Sequence, residues 1–346
     1  MLISVVVPAH NAASTLGDCL GSIRSSEGFE RLCREIIVVD DGSTDETAAI
    51  AERSGATVCR VASARGPATA RNRGVAAATG DVVLFLDADV RAHHDTLARA
   101  AAHFEEAGGP AAVMGSYDAT PACDGVVSVY RNLLHHYVHQ TSAEGAQTFW
   151  AGCGAIRRSV FLEVGGFDES FAAPSIEDIE LGYRLTDSGY RVTLDKRLQV
   201  THLKRWTLRG MVVTDVTRRA VPWARLLLSR KSMPRDLNLR FRHRLSAALV
   251  FLLALGCLAT AAFAAAGGGS RAAWSAATWS AATCAVIASL LLLLNYSLYA
   301  FFTRARGWRF ALAAIPLHWL YYLYSGAALL WVMVSRSRPG AGPQRG

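Results

Sequence analysis

Three long stretches of this chain carry no charge. Leu245–Ala266, Trp279–Phe302 and Phe310–Val334 run for 22, 24 and 25 residues without Asp, Glu, Lys or Arg. A helix rises about 1.5 Å per residue, so each can cross a hydrocarbon layer of about 30 Å. Only helices, or closed barrels, satisfy their backbone polar groups inside lipid, so this region is read as three transmembrane helices. Trp274, Trp279, Trp308 and Trp331 stand near the ends of these stretches, as interfacial aromatic belts do. His318 is the one ionisable group in the third stretch, an interhelical hydrogen-bond partner or part of a lipid pathway.

The charge is divided along the same line. Residues 1–203 hold 26 of the 28 acids and 17 of the 36 bases, a formal net of −9. Residues 204–346 hold 2 acids and 19 bases, a net of +17. An acidic domain is thus followed by a basic, apolar region, which selects a membrane surface as partner and no nucleic acid. Between Lys204 and Arg244 there are 12 bases, with apolar residues at Leu208, Met211, Val212 and Val216 and again at Trp223, Leu226 and Leu227. That spacing predicts a pair of basic amphipathic helices divided by Pro222 and lying on anionic lipid, or core-facing helices with a solvated basic side.

The expected organisation is a domain over 1–205, interfacial helices over 206–244, a transmembrane region over 245–335 and a flexible tail over 336–346. The Lys/Arg distribution sets the first domain on the cytoplasmic side of an inner membrane. Arg271 alone lies in the first loop, expected outside, and Arg304, Arg306 and Arg309 lie in the second, expected inside. Three crossings then put the tail outside, although Arg336, Arg338 and Arg345 oppose that. The first residues enter an apolar strand directly, without a signal peptide. Cys19, Cys33, Cys59, Cys123, Cys153, Cys257 and Cys284 form no CxxC, which fits reduced thiols and neither zinc nor a disulfide framework.

The first domain alternates short apolar runs with helical patterns. Leu2–Val7 reads as a strand halted by Pro8. A helix capped by Ser14 follows, with Leu16, Cys19, Leu20 and Ile23 on its inner face. Glu35–Val39 is a second strand ending at Asp40 and Asp41, and Ser43 with Glu46 reads as a capping box for the next helix. Thr57–Val61 is a third strand, and Gly66-Pro67 opens a helix to Ala78. Val82–Leu86 is a fourth strand that runs straight into Asp87-Ala88-Asp89. A helix over 94–108 and a strand over 111–115 come next. Phe149–Arg158 reads as a strand running into a glycine-rich turn, Ile176–Leu185 as a helix with Ile179, Tyr183 and Leu185 inward, and Arg191–Leu194 and Leu198–Thr201 as two closing strands. Such alternation predicts an α/β fold with a mainly parallel sheet, helices on both faces and its ligand edge at the strands' carboxyl ends.

Acids recur at that edge. Asp87 and Asp89, spaced i, i+2, can converge on a hard cation shared with substrate phosphates, or be two solvated turn acids. No G-x-G-x-x-G and no G-K-[ST] occurs, so neither the dinucleotide fingerprint nor the P-loop applies.

Five ordered segments carry a family resemblance: Val7-Pro8-Ala9-His10-Asn11; Val38–Asp45 with its Asp40-Asp41-Gly42-Ser43 core; Gly66–Gly74 with Arg71; Leu86-Asp87-Ala88-Asp89; and Gly165-Gly166-Phe167-Asp168 followed by Glu177-Asp178. Together they resemble family-2 glycosyltransferases over residues 1 to about 205. The resemblance implies a GT-A fold (Rossmann-like, with a mixed sheet) and inverting transfer from a nucleoside-diphosphate sugar, dependent on Mg2+ or Mn2+. It places Pro8, Ala9, Asn11, Asp40, Asp41, Arg71 and Asp87 at the donor, Asp89 and His202 on the metal, and Asp178 as general base. Gly152, Cys153 and Gly154 would form a turn facing donor and acceptor, with Glu177 nearby but turned away from Asp178, since adjacent helical residues do not share a face. The acceptor would be a membrane lipid or lipid-linked molecule. Processive synthases of the family carry Gln-x-x-Arg-Trp where this chain has His202-Leu203-Lys204-Arg205-Trp206. That departure favours a single transfer over the alternatives, a processive synthase or a non-catalytic nucleotide-binding scaffold.

Overall fold

The computed structural model describes residues 1–105, 108–230, 241–266 and 270–336. The chain forms two compact units, Met1–Thr207 and Leu208–Gly346. In the first, the elements run β1 (Ile3–Ala9), α1 (Leu16–Arg24), α2 (Phe29–Leu32), β2 (Cys33–Asp41), α3 (Thr47–Arg53), β3 (Thr57–Val61), α4 (Pro67–Ala77) and β4 (Val82–Leu86). They continue with β5 (Val90–Ala92), α5 (Thr96–Glu105), β6 (Ala112–Tyr117), α6 (Val126–Thr141), β7 (Gly145–Ala146), β8 (Cys153–Arg157), α7 (Arg158–Glu163), α8 (Glu177–Asp187) and β9 (Val192–His202).

The strands form one mixed sheet in the order β3-β2-β1-β4-β8-β6-β9-β5, with β7 paired to β9. β3, β2, β1 and β4 are parallel, and direction reverses between β4 and β8. Alternate residues of each central strand feed opposite cores. Val5, Val7, Leu84 and Leu86 pack on α1 and α5, and Val6, Val83 and Phe85 pack on α4, α7 and α8. Burial on both faces is why these strands read as unbroken apolar runs.

The expected inner face of α1 is buried in full. Several local expectations need correction. Pro8 lies within β1, because pairing with β4 ends at Val6 and the missing N–H is not needed there. The Ser43/Glu46 capping box does not form. The helix begins at Thr47, whose amide donates to Asp45 Oδ1, while Ser43 Oγ accepts from the Asn11 amide. The two closing strands are one, β9, with an irregularity in register where Leu194 and Gln199 face Met114 and Ser116. Phe149–Arg158 runs in the opposite order, turn first and strand second. In α8 the buried apolar positions are Leu181, Tyr183 and Leu185, and Ile179 is half-buried.

The second unit begins with α9 (Leu208–Thr214), a π-helical turn (Asp215–Ala220) and α10 (Val221–Ser229). Helix continues through this stretch, so Pro222 does not divide it. The π turn precedes Pro222, whose ring has no N–H and clashes with the carbonyl four residues back in a regular helix. The part of the expected interfacial pair at 231–240 and the tail from 337 lie outside the described residues. Helices α11 (Phe241–Ala266), α12 (Arg271–Leu294), α13 (Tyr296–Arg306) and α14 (Trp308–Arg336) follow. Among the described residues, three helices are long and apolar enough to cross a membrane: Phe241–Ala266, Arg271–Leu294 and Trp308–Ser335. The second starts and ends earlier than expected; Asn295 ends α12 and turns its side chain onto Ser246 Oγ (3.0 Å) and Leu291 O (2.9 Å). His318 joins two helices, with Nδ1 3.0 Å from the Tyr299 hydroxyl.

Candidate active site

The sheet's carboxyl edge gathers the expected residues from four strand ends. Pro8 and Ala9 close β1, in register with Val39 and Asp40 of β2. Asn11 follows with φ +50°, and its Oδ1 accepts from Thr44 N (2.9 Å) and Thr44 Oγ1 (3.2 Å). His10 Nδ1 lies 2.8 Å from the Asp41 carbonyl oxygen, so that nitrogen carries the proton. Asp40 accepts from Ser43 N at 3.0 Å. Asp41 accepts from Arg65 N (2.9 Å) through one oxygen and from Gly66 N (2.8 Å) through the other. Gly66 has φ +92°, and a Cβ there would stand 2.6 Å from the backbone of Ala172. Asp41 thus anchors the start of α4, and α4 meets the loop that leads to α8.

β4 ends at Leu86, and Asp87-Ala88-Asp89 turns the chain into β5. Val90 pairs with His202 across the β5–β9 ladder, and Leu203 N donates to the Asp89 carbonyl at 2.8 Å. This ladder sets His202 Nε2 at 3.9 Å and Lys204 Nζ at 3.8 Å from Asp89 Oδ2. His202 is buried and stacks on Tyr117 at 4.3 Å, and Tyr117 meets the Trp150 ring edge-on at 4.9 Å. Burial, then the charge of Asp87, push the Asp89 carboxyl up to about 6, against the opposing pull of Lys204. A carboxylate held that high is stabilised by an added cation.

The donor set bears on a metal. Among the described residues no three His, Cys, Asp or Glu side chains group closely enough to hold a cation unaided. Asp89 and His202 supply two donors, with 28% of the Asp89 side chain accessible. Mg2+ is commonly bound in this way, by one or two protein groups and substrate phosphates. The site therefore fits an ion shared with a diphosphate.

The turn before β8 joins both halves of the edge. Asp87 N donates to the Gly152 carbonyl at 3.3 Å, and Ala151 N donates to Asp178 Oδ2 at 3.3 Å. Asp178 stands in the first turn of α8, where Oδ1 also accepts from Ile179 N at 2.8 Å. Of the three residues expected in a turn, only Gly152 is in one. Cys153 and Gly154 belong to β8, opposite Leu86 and Phe85 of β4, because the apolar run they begin is needed between β4 and β6. Burial, then the charge of Asp87, raise the Cys153 thiol, so it remains an inert, protonated core group. Glycine is required at 152, where a Cβ would lie 2.5 Å from the Trp150 ring.

Glu177 and Asp178 turn to different partners, Arg71 and the Ala151 amide. The Glu177 side chain is buried, with Oε1 2.8 Å from Arg71 Nη1, while Arg71 Nη2 is 2.8 Å from Asp87 Oδ1. Sequence reasoning missed Lys204, Tyr117 and the grip of α4 on the loop ahead of α8. In that grip Asn72 accepts from Phe167 N (2.9 Å), and Thr69 donates to Glu169 (3.1 Å). The hint was Thr69 and Asn72 flanking Arg71 within one motif.

A family model described as "Glycosyl transferase family 2" matches residues 4–165. The first unit belongs to glycosyl transferase family 2. A "Pre-mycofactocin glycosyltransferase" of Mycobacterium tuberculosis is 30% identical over 221 residues, covering 61% of this chain and 44% of that protein. "Glycosyltransferase AglE" of Haloferax volcanii is 25% identical over 196 residues, 55% of this chain and 63% of that one. The chain thus matches less than two thirds of the length of either relative. Among solved structures, mannosyltransferase PcManGT from Pyrobaculum calidifontis, in complex with GDP-Man and Mn2+, aligns with TM-score 0.61 and 22% identity. It covers 95% of this chain and 87% of its own, and the likeness shows the fold. The family-2 motifs Asp40-Asp41, Asp87-Ala88-Asp89 and Glu177-Asp178 all lie at or beside the one sheet edge.

Proposed function

We propose that this family-2 protein transfers a sugar from a nucleoside diphosphate to a membrane-associated, lipid-linked acceptor, with inversion at the anomeric carbon. The observation that carries the reading is the turn at 150–152, whose backbone is hydrogen-bonded to both Asp87 and Asp178. It brings the donor acid and the candidate base to one place.

Asp178 takes the acceptor's hydroxyl proton as the oxygen bonds to the anomeric carbon. The bond from that carbon to the diphosphate breaks in the same displacement, and the electron pair leaves with the diphosphate. A Mg2+ or Mn2+ bound at Asp89 and His202 would neutralise that charge. Asp87 and Arg71 orient the donor, Pro8, Ala9 and Asn11 line the nucleotide end, and Asp40 and Asp41 hold the loops around it. Lys204 adds positive charge beside Asp89.

The three long apolar helices and the basic stretch from Lys204 support insertion as a multi-pass protein of the inner membrane, with the first unit cytoplasmic. A lipid-linked acceptor follows from that setting. His202 in place of glutamine supports one transfer per acceptor.

The test is a thermal-shift panel of UDP-glucose, UDP-N-acetylglucosamine and GDP-mannose with Mn2+ on the detergent-solubilised chain. One donor is expected to stabilise the protein and then to label a polyprenyl phosphate or glycolipid as a single product band. A polymer ladder would reverse the single-transfer reading. Absence of binding by any nucleotide sugar would remove the enzyme reading.

A further inference from the structure

We infer that Glu177 is a positioning residue for the donor sugar, acting through Arg71 on Asp87. The inference rests on the proposal that Asp87 faces that sugar.

The three residues form a chain through the protein interior. Arg71 rises from α4 with 6% of its side chain exposed, and Glu177, on the first turn of α8, with 5%. Asp87, at the end of β4, keeps 31%. The guanidinium lies over the Phe167 ring at 5.4 Å and sends one terminal nitrogen to each acid, both at 2.8 Å. Glu177 is itself fixed, since its other oxygen accepts from Ser175 N at 2.8 Å.

This is not the arrangement that pairing alone would select. A guanidinium binds most strongly when two N–H groups meet one carboxylate side by side. Arg71 divides its two terminal nitrogens between two acids instead. Its Nε is buried and has no hydrogen-bond partner among the described residues. A buried donor left in that way is a local loss that calls for a reason. The gain is geometric. Asp87 is held by Oδ1, while Oδ2 has no partner among the described residues and stays on the accessible side. One oxygen is pinned and the other is presented.

Glu177 sets where the guanidinium stands, so it sets where Asp87 stands. It is also bonded through one peptide to Asp178, the proposed base. Donor acid and base helix are therefore fixed relative to each other by a single buried cation. The triad carries two acids for one base, so it favours the polarised hydroxyl hydrogens of a sugar at Oδ2.

The experiment compares, by titration calorimetry of the full chain with Mn2+, the donor selected from the panel above and its free nucleoside diphosphate. E177Q should weaken the nucleotide sugar about tenfold, the scale of one charge-assisted hydrogen bond, and the free nucleotide less than about twofold. E177Q should add nothing in a D87N background. Equal weakening of both ligands, or of neither, overturns the inference. A D87N effect that multiplies with that of E177Q overturns it while leaving Asp87 at the donor. A D87N variant that binds the nucleotide sugar normally removes the Asp87 assignment and the inference together. Should E177Q not fold, E177D keeps the buried charge but draws Arg71 away from Asp87. It should shift the same selectivity in the same direction, by about threefold, and an unchanged selectivity there overturns the inference.

Discussion

Ala151 donates its amide hydrogen to Oδ2 of Asp178 over 3.3 Å, so the proposed base is oriented by the turn that also receives the Asp87 amide. An Asn at 178 can accept the same hydrogen bond but cannot take a proton at neutral pH. D178N should keep donor affinity within about twofold and lose turnover by about 100- to 10,000-fold. Calorimetry and a labelled-product assay measure the two quantities separately, and wild-type turnover would sink the assignment.

Asp89 meets two cationic or basic neighbours, His202 at 3.9 Å and Lys204 at 3.8 Å. D89A should abolish the part of donor affinity that depends on Mn2+. H202Q should weaken Mn2+ by about 10- to 100-fold. Titrations of the donor with and without Mn2+ read both, and a D89A variant whose donor affinity still rises with Mn2+ as in the wild type would reject the metal role.

Gly182 lets α8 lie directly on the backbone of Thr148 and Phe149. A Cβ at that position would stand 2.2 Å from Phe149 N and 2.4 Å from Thr148 C. G182A should therefore destabilise the first unit by about 1–3 kcal/mol. It should also lower turnover, because α8 carries Asp178. A variant with an unchanged unfolding midpoint and rate would show that the helix has room to spare.

Asp195 sits in the irregular stretch of β9, 2.9 Å from His103 Nε2 on α5. Burial opposes its ionisation, but hydrogen bonds from His103 and Arg197 N outweigh burial and hold its pKa below the usual carboxylate value. A depressed carboxyl adds stability that is complete above the unfolded value of about 4 and fades as pH falls through the folded one. D195N should then lie well below the wild type in urea midpoint at pH 7 and approach it near pH 3. A gap that stayed constant between those pH values would exclude the linkage.

Much of the first unit was legible because its strands are buried on both faces. Val82–Leu86 and the Ile36–Val39 run of β2 are apolar and buried throughout, so length and β-branching alone mark them. Acids at strand ends then locate the ligand edge. Helix α6 was not legible, because Asn132 and His139 are buried on it and blur the apolar period. β5 is three residues long, too short for any pattern. The burial of Glu177 could not be read locally, since its partner Arg71 lies 106 positions away. Flanking glycines make Cys153 and Gly154 read as a turn in the sequence. Their strand register depends on β4, which sequence spacing does not supply.

The reversal of strand direction at β4 has a consequence for how such proteins diversify. Every acid proposed to meet the donor or its metal comes from the run of chain up to Asp89. The proposed base, the turn at 150–152 and the long apolar helices all come later. Apart from Glu177 and His202, preference for the donor and preference for the acceptor are thus written in successive blocks of one message. Drift or recombination downstream of Asp89 that spares those two residues can give a lineage new acceptors while its donor vocabulary is inherited intact.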